Sequence, residues 1–380
     1  MEHHGKKREA PTARTEEQRK KELQKIKVYR ELEDELRERV ARGAFNERRT
    51  FECTKDLLKA NPEYYTVWNL RRRCMMAGVL TSTAEEEEEE EKGKEEAAAA
   101  SRAQIDDSYL SEELEFTLKL LKKFPKCYWI WNYRKWILEQ YILRVPKAAA
   151  CGAWRNELAY TQKVLYQDHR NFHAWGYRRY LVAKLETPAL LGQSLVEDEF
   201  IYTTRMIELE LSNFSAWHYR SRLMFRVLEE RKADDKVRAE FFQAERELIQ
   251  DAINCGIEDQ SLWYYYRFFM AQALGSEGRP TIIPNMPAEE KIRIIEEEID
   301  WVEDMLMDGS YPNLIYPYEA MVEHTLALFK LQPSAKDVRE QNNPKYWLVK
   351  IRENEKNKNT KRWDELERNI ERQLATESNE

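Results

Sequence analysis

Between residues 16 and 42, apolar side chains fall at Leu23, Ile26, Val28, Tyr29, Leu32, Leu36 and Val40, and charges fill the positions between. That is close to the period of an α-helix, so the stretch predicts an amphipathic helix with one face on its neighbour and one in water. The same apolar face recurs in "ELEFTLKLLKKF" (113–124) and "ELAYTQKVLYQ" (157–167). Downstream, "EKIRIIEEEIDWVEDML" (290–306) and "YPYEAMVEHTLALFK" (316–330) predict a further helix pair, and "KRWDELERNIERQLA" predicts a final charged helix.

A longer period lies over the helical one. Trp68, Trp131, Trp175, Trp217 and Trp263 sit in related segments, at steps of 63, 44, 42 and 46 residues. Two helices and two short turns use about forty residues, so the period marks a helical-hairpin repeat. In four copies an Arg follows the Trp by three: Arg71, Arg134, Arg178 and Arg220. Three residues is nearly one helical turn, so ring and guanidinium share a face. The Trp is expected to fill the space between hairpins, and the Arg to stack on an aromatic or bond carbonyls and carboxylates of the next repeat. The fifth copy, "DQSLWYYYRFF", places Tyr266 at +3 and Arg267 at +4, which turns that guanidinium away from the others. Asn61, Asn171 and Asn213 are expected to cap the motif helices, with Pro62 at the first helical position of its copy. The long first step holds "TSTAEEEEEEEKGKEEAAAASRAQ" at 81–104, whose like charges cannot bury a core and predict a disordered surface loop. The expected architecture is all-α: a right-handed stack of antiparallel helical hairpins, crescent-shaped, in one domain over 16–380 behind a flexible tail at 1–15.

Composition supports this and excludes several functions. The 380 residues are 42% hydrophobic with 11 Trp and 20 Tyr, enough for a core, and only 11 Gly and 12 Pro argue against a turn-rich β protein. The net charge of −7 is matched by Glu85–Glu91 alone, and nothing resembles the basic footprint of a nucleic-acid binder. The five cysteines (Cys53, Cys74, Cys127, Cys151, Cys255) are scattered without a C-x-x-C pair, and no apolar run reaches membrane-spanning length. A soluble, cytoplasmic protein is expected, without zinc ligands or a phosphate loop of its own.

The Trp-centred repeat, in five copies over about 45–275, resembles the α-subunit repeat of the protein prenyltransferases, which reads roughly N-x-x-x-W-x-x-R. "HHGKKREAPTARTEEQRKKELQKIKVY", "DHRNFHAWGYRR" and "DGSYPNLIYPYEAM" are similar to the Rab geranylgeranyltransferase type in its short form. That resemblance implies a heterodimer whose β subunit holds a zinc ion and the isoprenoid cavity. It also implies a Rab escort protein, Rab GTPases as acceptors and geranylgeranyl diphosphate as donor. Lys126 and Tyr128 in "FPKCYWIW" match the positions that reach the donor diphosphate. Asn171, His173 and Arg170 match a second set near it, although Phe172 stands where the family carries Tyr. His4, or His3 beside it, matches an N-terminal His that reaches the β-subunit zinc. Two alternatives stay open on the residues alone: the shared α subunit of the farnesyl and type I enzymes, and a non-catalytic helical-repeat scaffold.

Overall fold

The computed structural model describes residues 15–81, 95–275, 281–307, 314–333, 343–355 and 359–376. Among them are fifteen α-helices, one π-helical turn and no strand. The chain forms two compact units, Met1–Gln193 and Ser194–Glu380.

The first unit carries α1 (Glu16–Ala41), α2 (Arg48–Ala60), α3 (Tyr65–Cys74, continued by the π-turn Met75–Val79), α4 (Glu95–Lys123), α5 (Tyr128–Arg144), α6 (Lys147–Gln167) and α7 (Phe172–Leu185). From α2 onward successive helices pair as hairpins: α2 with α3, α4 with α5, α6 with α7. The second unit carries α8 (Val196–Leu209), α9 (Phe214–Glu230), α10 (Asp235–Cys255), α11 (Gln260–Leu274), α12 (Ala288–Met307), α13 (Tyr316–Leu331), α14 (Pro344–Asn354) and α15 (Thr360–Thr376). Here α8 pairs with α9, α10 with α11 and α12 with α13, while α14 packs on α13 and α15 on α14.

The motif residues build the core. The five repeat Trp rings are at most 3% exposed. Each indole N–H donates to the carbonyl six residues earlier: Pro62 (2.8 Å), Pro125 (3.0 Å), His169 (2.8 Å), Leu211 (2.7 Å) and Ile257 (2.7 Å). Each bond fastens the turn before a motif helix to that helix, and satisfies a donor that burial would otherwise orphan.

The arginines link hairpin to hairpin. Arg71 on α3 reaches back within its own hairpin to the Phe51 carbonyl (3.1 Å) and Thr54 Oγ1 (2.8 Å), and forward to both oxygens of Glu113 on α4 (2.7 and 2.5 Å). The Tyr133 hydroxyl on α5 then donates to Glu113 (2.8 Å). Arg134 repeats this with the Leu114 carbonyl, Thr117, Glu157 and Tyr177, and Arg220 with the Phe200 carbonyl, Thr203, Glu245 and Tyr265. Arg178 is buried at the same position in α7. In the fifth copy Tyr266 donates to Glu298 on α12 (2.6 Å), and Arg246 from α10 supplies the cation. Arg267, one place later, turns to Glu319 and Glu323 on α13.

Three local expectations are corrected. Asn61 does not cap α3: its N–H bonds the Leu57 carbonyl and ends α2, and its side chain closes the turn by accepting from the Glu63 N–H (3.2 Å). Pro62 therefore lies in the turn and α3 starts at Tyr65. Of the surface loop expected at 81–104, residues 95–104 are helical, because α4 begins at Glu95, where "EEAAAA" supplies strong helix formers, and 82–94 lie outside the described residues. In α1 only Leu36 is fully buried, and Leu23, Ile26 and Val28 are 46–59% exposed. A Thr15–Gln18 capping box and the Glu17–Lys21 pair support the exposed N-terminal part of that helix.

Arg134→Met should lower stability by about 3–5 kcal/mol, because it strands the buried Glu157 carboxylate. Adding Glu157→Gln, which still accepts from Tyr177, should recover part of that loss in urea unfolding; strictly additive losses would disprove the coupling. A second prediction concerns His324, which is 4% exposed and 2.6 Å from the Tyr266 hydroxyl, with burial pushing its pKa from 6.5 down to about 4. The unfolded chain then takes up this proton first, so stability should be full above pH 6.5 and fall by about 3 kcal/mol towards pH 4. His324→Gln should flatten that part of the profile.

Candidate functional site

The turns ahead of the motif helices are held by the Trp bonds above, so their residues occupy equivalent places in successive hairpins. Five residues before the Trp the copies carry Glu63, Lys126, Arg170, Ser212 and Glu258. A cation therefore stands there in two consecutive copies and in no other. Three residues before the Trp stand Tyr65, Tyr128, Phe172, Phe214 and Gln260, and the four aromatics are 52–67% exposed.

Two neighbouring turns bring most of the candidate residues together. Lys126 lies in the turn between α4 and α5, its side chain 62% exposed and its Nζ 3.8 Å from Oδ2 of Asp168, the residue that ends α6. Tyr128 opens α5, and its ring lies 5.9 Å from that of His173 in the first turn of α7. Phe172 stacks beside His173 at 3.9 Å. Burial lowers the His173 pKa, as does the Lys126 ammonium, against the opposing field of Glu63 and a hydrogen bond to the Lys126 backbone. The imidazole is therefore neutral at pH 7. Arg170 is exposed, two residues after Asp168.

Asn171 does not belong to this surface. It is 2% exposed, its Oδ1 accepts from the Ala174 N–H (3.1 Å) as the cap of α7, and its Nδ2 faces the Pro125 carbonyl at 3.5 Å. It ties one turn to the next, and Asn213 caps α9 in the same way. His3 and His4 lie outside the described residues. Asp168 was not singled out by sequence; its one signal is its place two residues before Arg170, opposite a lysine one repeat away.

The resulting surface has two cations, a tyrosine hydroxyl and a neutral imidazole at the ends of two helices, with the carboxylates of Asp168 and Glu63 beside them. It suits a compact polyanion better than a nucleophilic reaction. Among the described residues no group of three or more His, Cys, Asp or Glu side chains is placed to hold a metal ion, and no helix is long and apolar enough to cross a membrane. Asn171→Ala should cost about 1 kcal/mol of stability as a lost cap, whereas Lys126→Ala should leave thermal unfolding within about 0.5 kcal/mol of the parent. Equal losses would contradict the separation of cap from surface.

Comparison with known proteins gives this arrangement a family context. The family described as protein prenyltransferase alpha subunit repeat matches residues 48–77, 110–141, 154–185 and 196–227. The chain is similar to the geranylgeranyl transferase type-2 subunit alpha of Candida albicans, 37% identical over 43% of this chain and 38% of that one. It is similar to the Saccharomyces cerevisiae protein of the same description, 32% identical over 57% of each chain, so the matches span well under two thirds of these two relatives. The Dictyostelium discoideum protein of that description is 32% identical over 76% of this chain and 78% of its own. In fold, the chain matches a solved structure described as Candida albicans protein geranylgeranyltransferase-I complexed with GGPP, with a TM-score of 0.53 and 16% identity over 86% of this chain and 91% of that one.

Proposed function

The chain belongs to the family of geranylgeranyl transferase type-2 alpha subunits, and from that premise we propose that it acts as the α subunit of a heterodimeric Rab geranylgeranyltransferase. With a β subunit it transfers geranylgeranyl from geranylgeranyl diphosphate to C-terminal cysteines of Rab GTPases, which an escort protein presents. Zinc, held by the β subunit on this reading, would activate the acceptor thiol.

The part assigned to this chain is the leaving group. As the carbon–oxygen bond to diphosphate breaks, negative charge grows on the diphosphate, and a positioned ammonium stabilises it more in the transition state than in the ground state. Lys126 supplies that ammonium, with the Tyr128 hydroxyl as a donor beside it. Arg170 adds a second positive charge from the next turn, and His173, neutral, offers a ring N–H. The observation that carries the reading is the cation five residues before Trp in two adjacent copies, with Tyr128 and His173 ring to ring between them.

In a reconstituted heterodimer, Lys126→Ala should lower kcat about a hundredfold with little change in KM for the donor. An unchanged turnover would remove Lys126 from the mechanism. Transfer of farnesyl to C-a-a-X peptides in preference to geranylgeranyl to Rab would replace the Rab reading with the farnesyl or type I one.

A further inference from the structure

We propose that the groove between α2 and α4 is a docking surface for an acidic amphipathic segment of a partner protein. Its volume is about 740 Å³. Lys55 and Lys59 project from α2, Lys119 and Lys123 from α4, and Phe116 and Leu120 form the floor. The Lys55 ammonium lies over the Phe116 ring, 5.5 Å from its centre, so this charge stands directly on the aromatic part of the floor. Glu112 and Glu115 stand on the same wall, and Glu115 is 3.4 Å from Lys119. The groove thus offers the 6% and 4% exposed edges of Phe116 and Leu120 and the lysine methylenes beside them, under four ammonium groups and two carboxylates, with Lys59 also 3.0 Å from Asp56. An occupant with apolar side chains on one face and carboxylates on the other matches it in both respects.

The neighbouring groove of the same unit carries the opposite sign. The next one along the same unit, between α4 and α6, is lined by Asp107, Glu115 and Glu157 over the small residues Ala149, Gly152 and Ala153, with Arg134 as its cation. The basic character is therefore a feature of α2 and the C-terminal half of α4, not of the repeat.

The chain's own acidic run, Glu85–Glu91, is an obvious rival occupant, and reach argues against it. At 1.5 Å per residue, Lys119 and Lys123 lie about 36 and 42 Å along α4 from its start at Glu95. Glu91 is four residues from Glu95 and Glu85 ten, which fully extended chain converts to at most about 14 and 36 Å. At its other end the run is tied down at Thr81, whose N–H and hydroxyl both bond Asp106, in the N-terminal half of α4 (2.9 and 2.8 Å). The run cannot lie along the four lysines, so the occupant comes from another molecule.

The test is fluorescence anisotropy of a short labelled helical peptide with Leu on one face and Glu on the other, titrated with the full chain, beside an analogue with Gln for Glu. The acidic peptide should bind and weaken steeply with salt. Lys55→Glu with Lys119→Glu should weaken it at least about tenfold, while Lys20→Glu with Lys25→Glu on the exposed part of α1 should not. Equal binding of the Gln analogue, or equal loss in the α1 variant, would overturn the proposal. Self-association of the chain that deletion of Glu85–Glu91 abolishes would overturn it too, by making a second copy the occupant.

Discussion

The structure depends on a carboxylate buried between two hairpins. Glu113, Glu157 and Glu245 are 3–5% exposed, and each takes two hydrogen bonds from the arginine of the preceding hairpin and one from a tyrosine of its own. Desolvating two charges costs several kcal/mol per ion, so such a pair contributes only when its geometry is good and its remaining lone pairs are filled. The tyrosine hydroxyl fills one, and the threonine and carbonyl that hold Nη1 satisfy the other end of the arginine. Burial first, and the Glu113 charge after it, push the Tyr133 hydroxyl well above its usual range, so it remains a donor at any physiological pH. What the network supplies beyond net stability is register: a hairpin displaced by one residue would leave a buried charge without its fork.

Register decides where the turns fall. The Trp indole fixes each turn to its motif helix, and the buried carboxylate fixes each motif helix to its neighbour. Within the first unit, a side chain in the turn before Trp131 thereby inherits a defined place against the turn before Trp175, 44 residues on. Lys126 comes beside Asp168, and Tyr128 beside His173, through this two-step linkage, with Asn171 to the Pro125 carbonyl, the Lys126–Asp168 pair and the hydrogen bond of His173 to the Lys126 backbone joining the two turns directly. The exposed surface is thus positioned by a core it does not share.

Much of the fold was legible because its determinants recur. Trp and Arg keep their spacing of three, Asn171 and Asn213 cap where their sequence says, and the predicted pairs at 290–306 and 316–330 correspond to α12 and α13. The carboxylates escaped because the Arg-to-Glu separation varies, 42, 23 and 25 residues, with the longest carrying the same surplus that lengthens the first Trp step. Counted from the tyrosine the separation is constant at 20 residues, a signal visible only once the tyrosine is known to matter. Helix α14 was missed although Asn343 and Pro344 open it, because its core contribution rests on few residues, Trp347, Leu348 and Ile351. The site was less legible than the fold. Lys126, Tyr128, Arg170 and His173 were named through resemblance; the residues alone read Lys126 as a solvated residue at a helix start, Tyr128 as a packing residue of the repeat and His173 as an interface residue.

The ends of the series show which element of the motif answers to which neighbour. The first copy carries Leu70 where later copies carry Tyr133, Tyr177, Tyr219 and Tyr265. That tyrosine serves the carboxylate on the first helix of its own hairpin, and twenty residues before Leu70 that helix carries Thr50, which donates to the Ala44 carbonyl instead. With no carboxylate to serve, an apolar residue is the cheaper choice. At the other end the arginine itself is replaced: Tyr266 brings a hydroxyl to Glu298, and the charge arrives from Arg246 on α10, a helix that carries no arginine motif. What recurs at the junctions to α4, α6, α10 and α12 is the buried carboxylate with a cation and a hydroxyl around it. Which residue supplies the cation is secondary, so the carboxylate, and not the arginine that first draws the eye in the sequence, is the fixed element of this repeat.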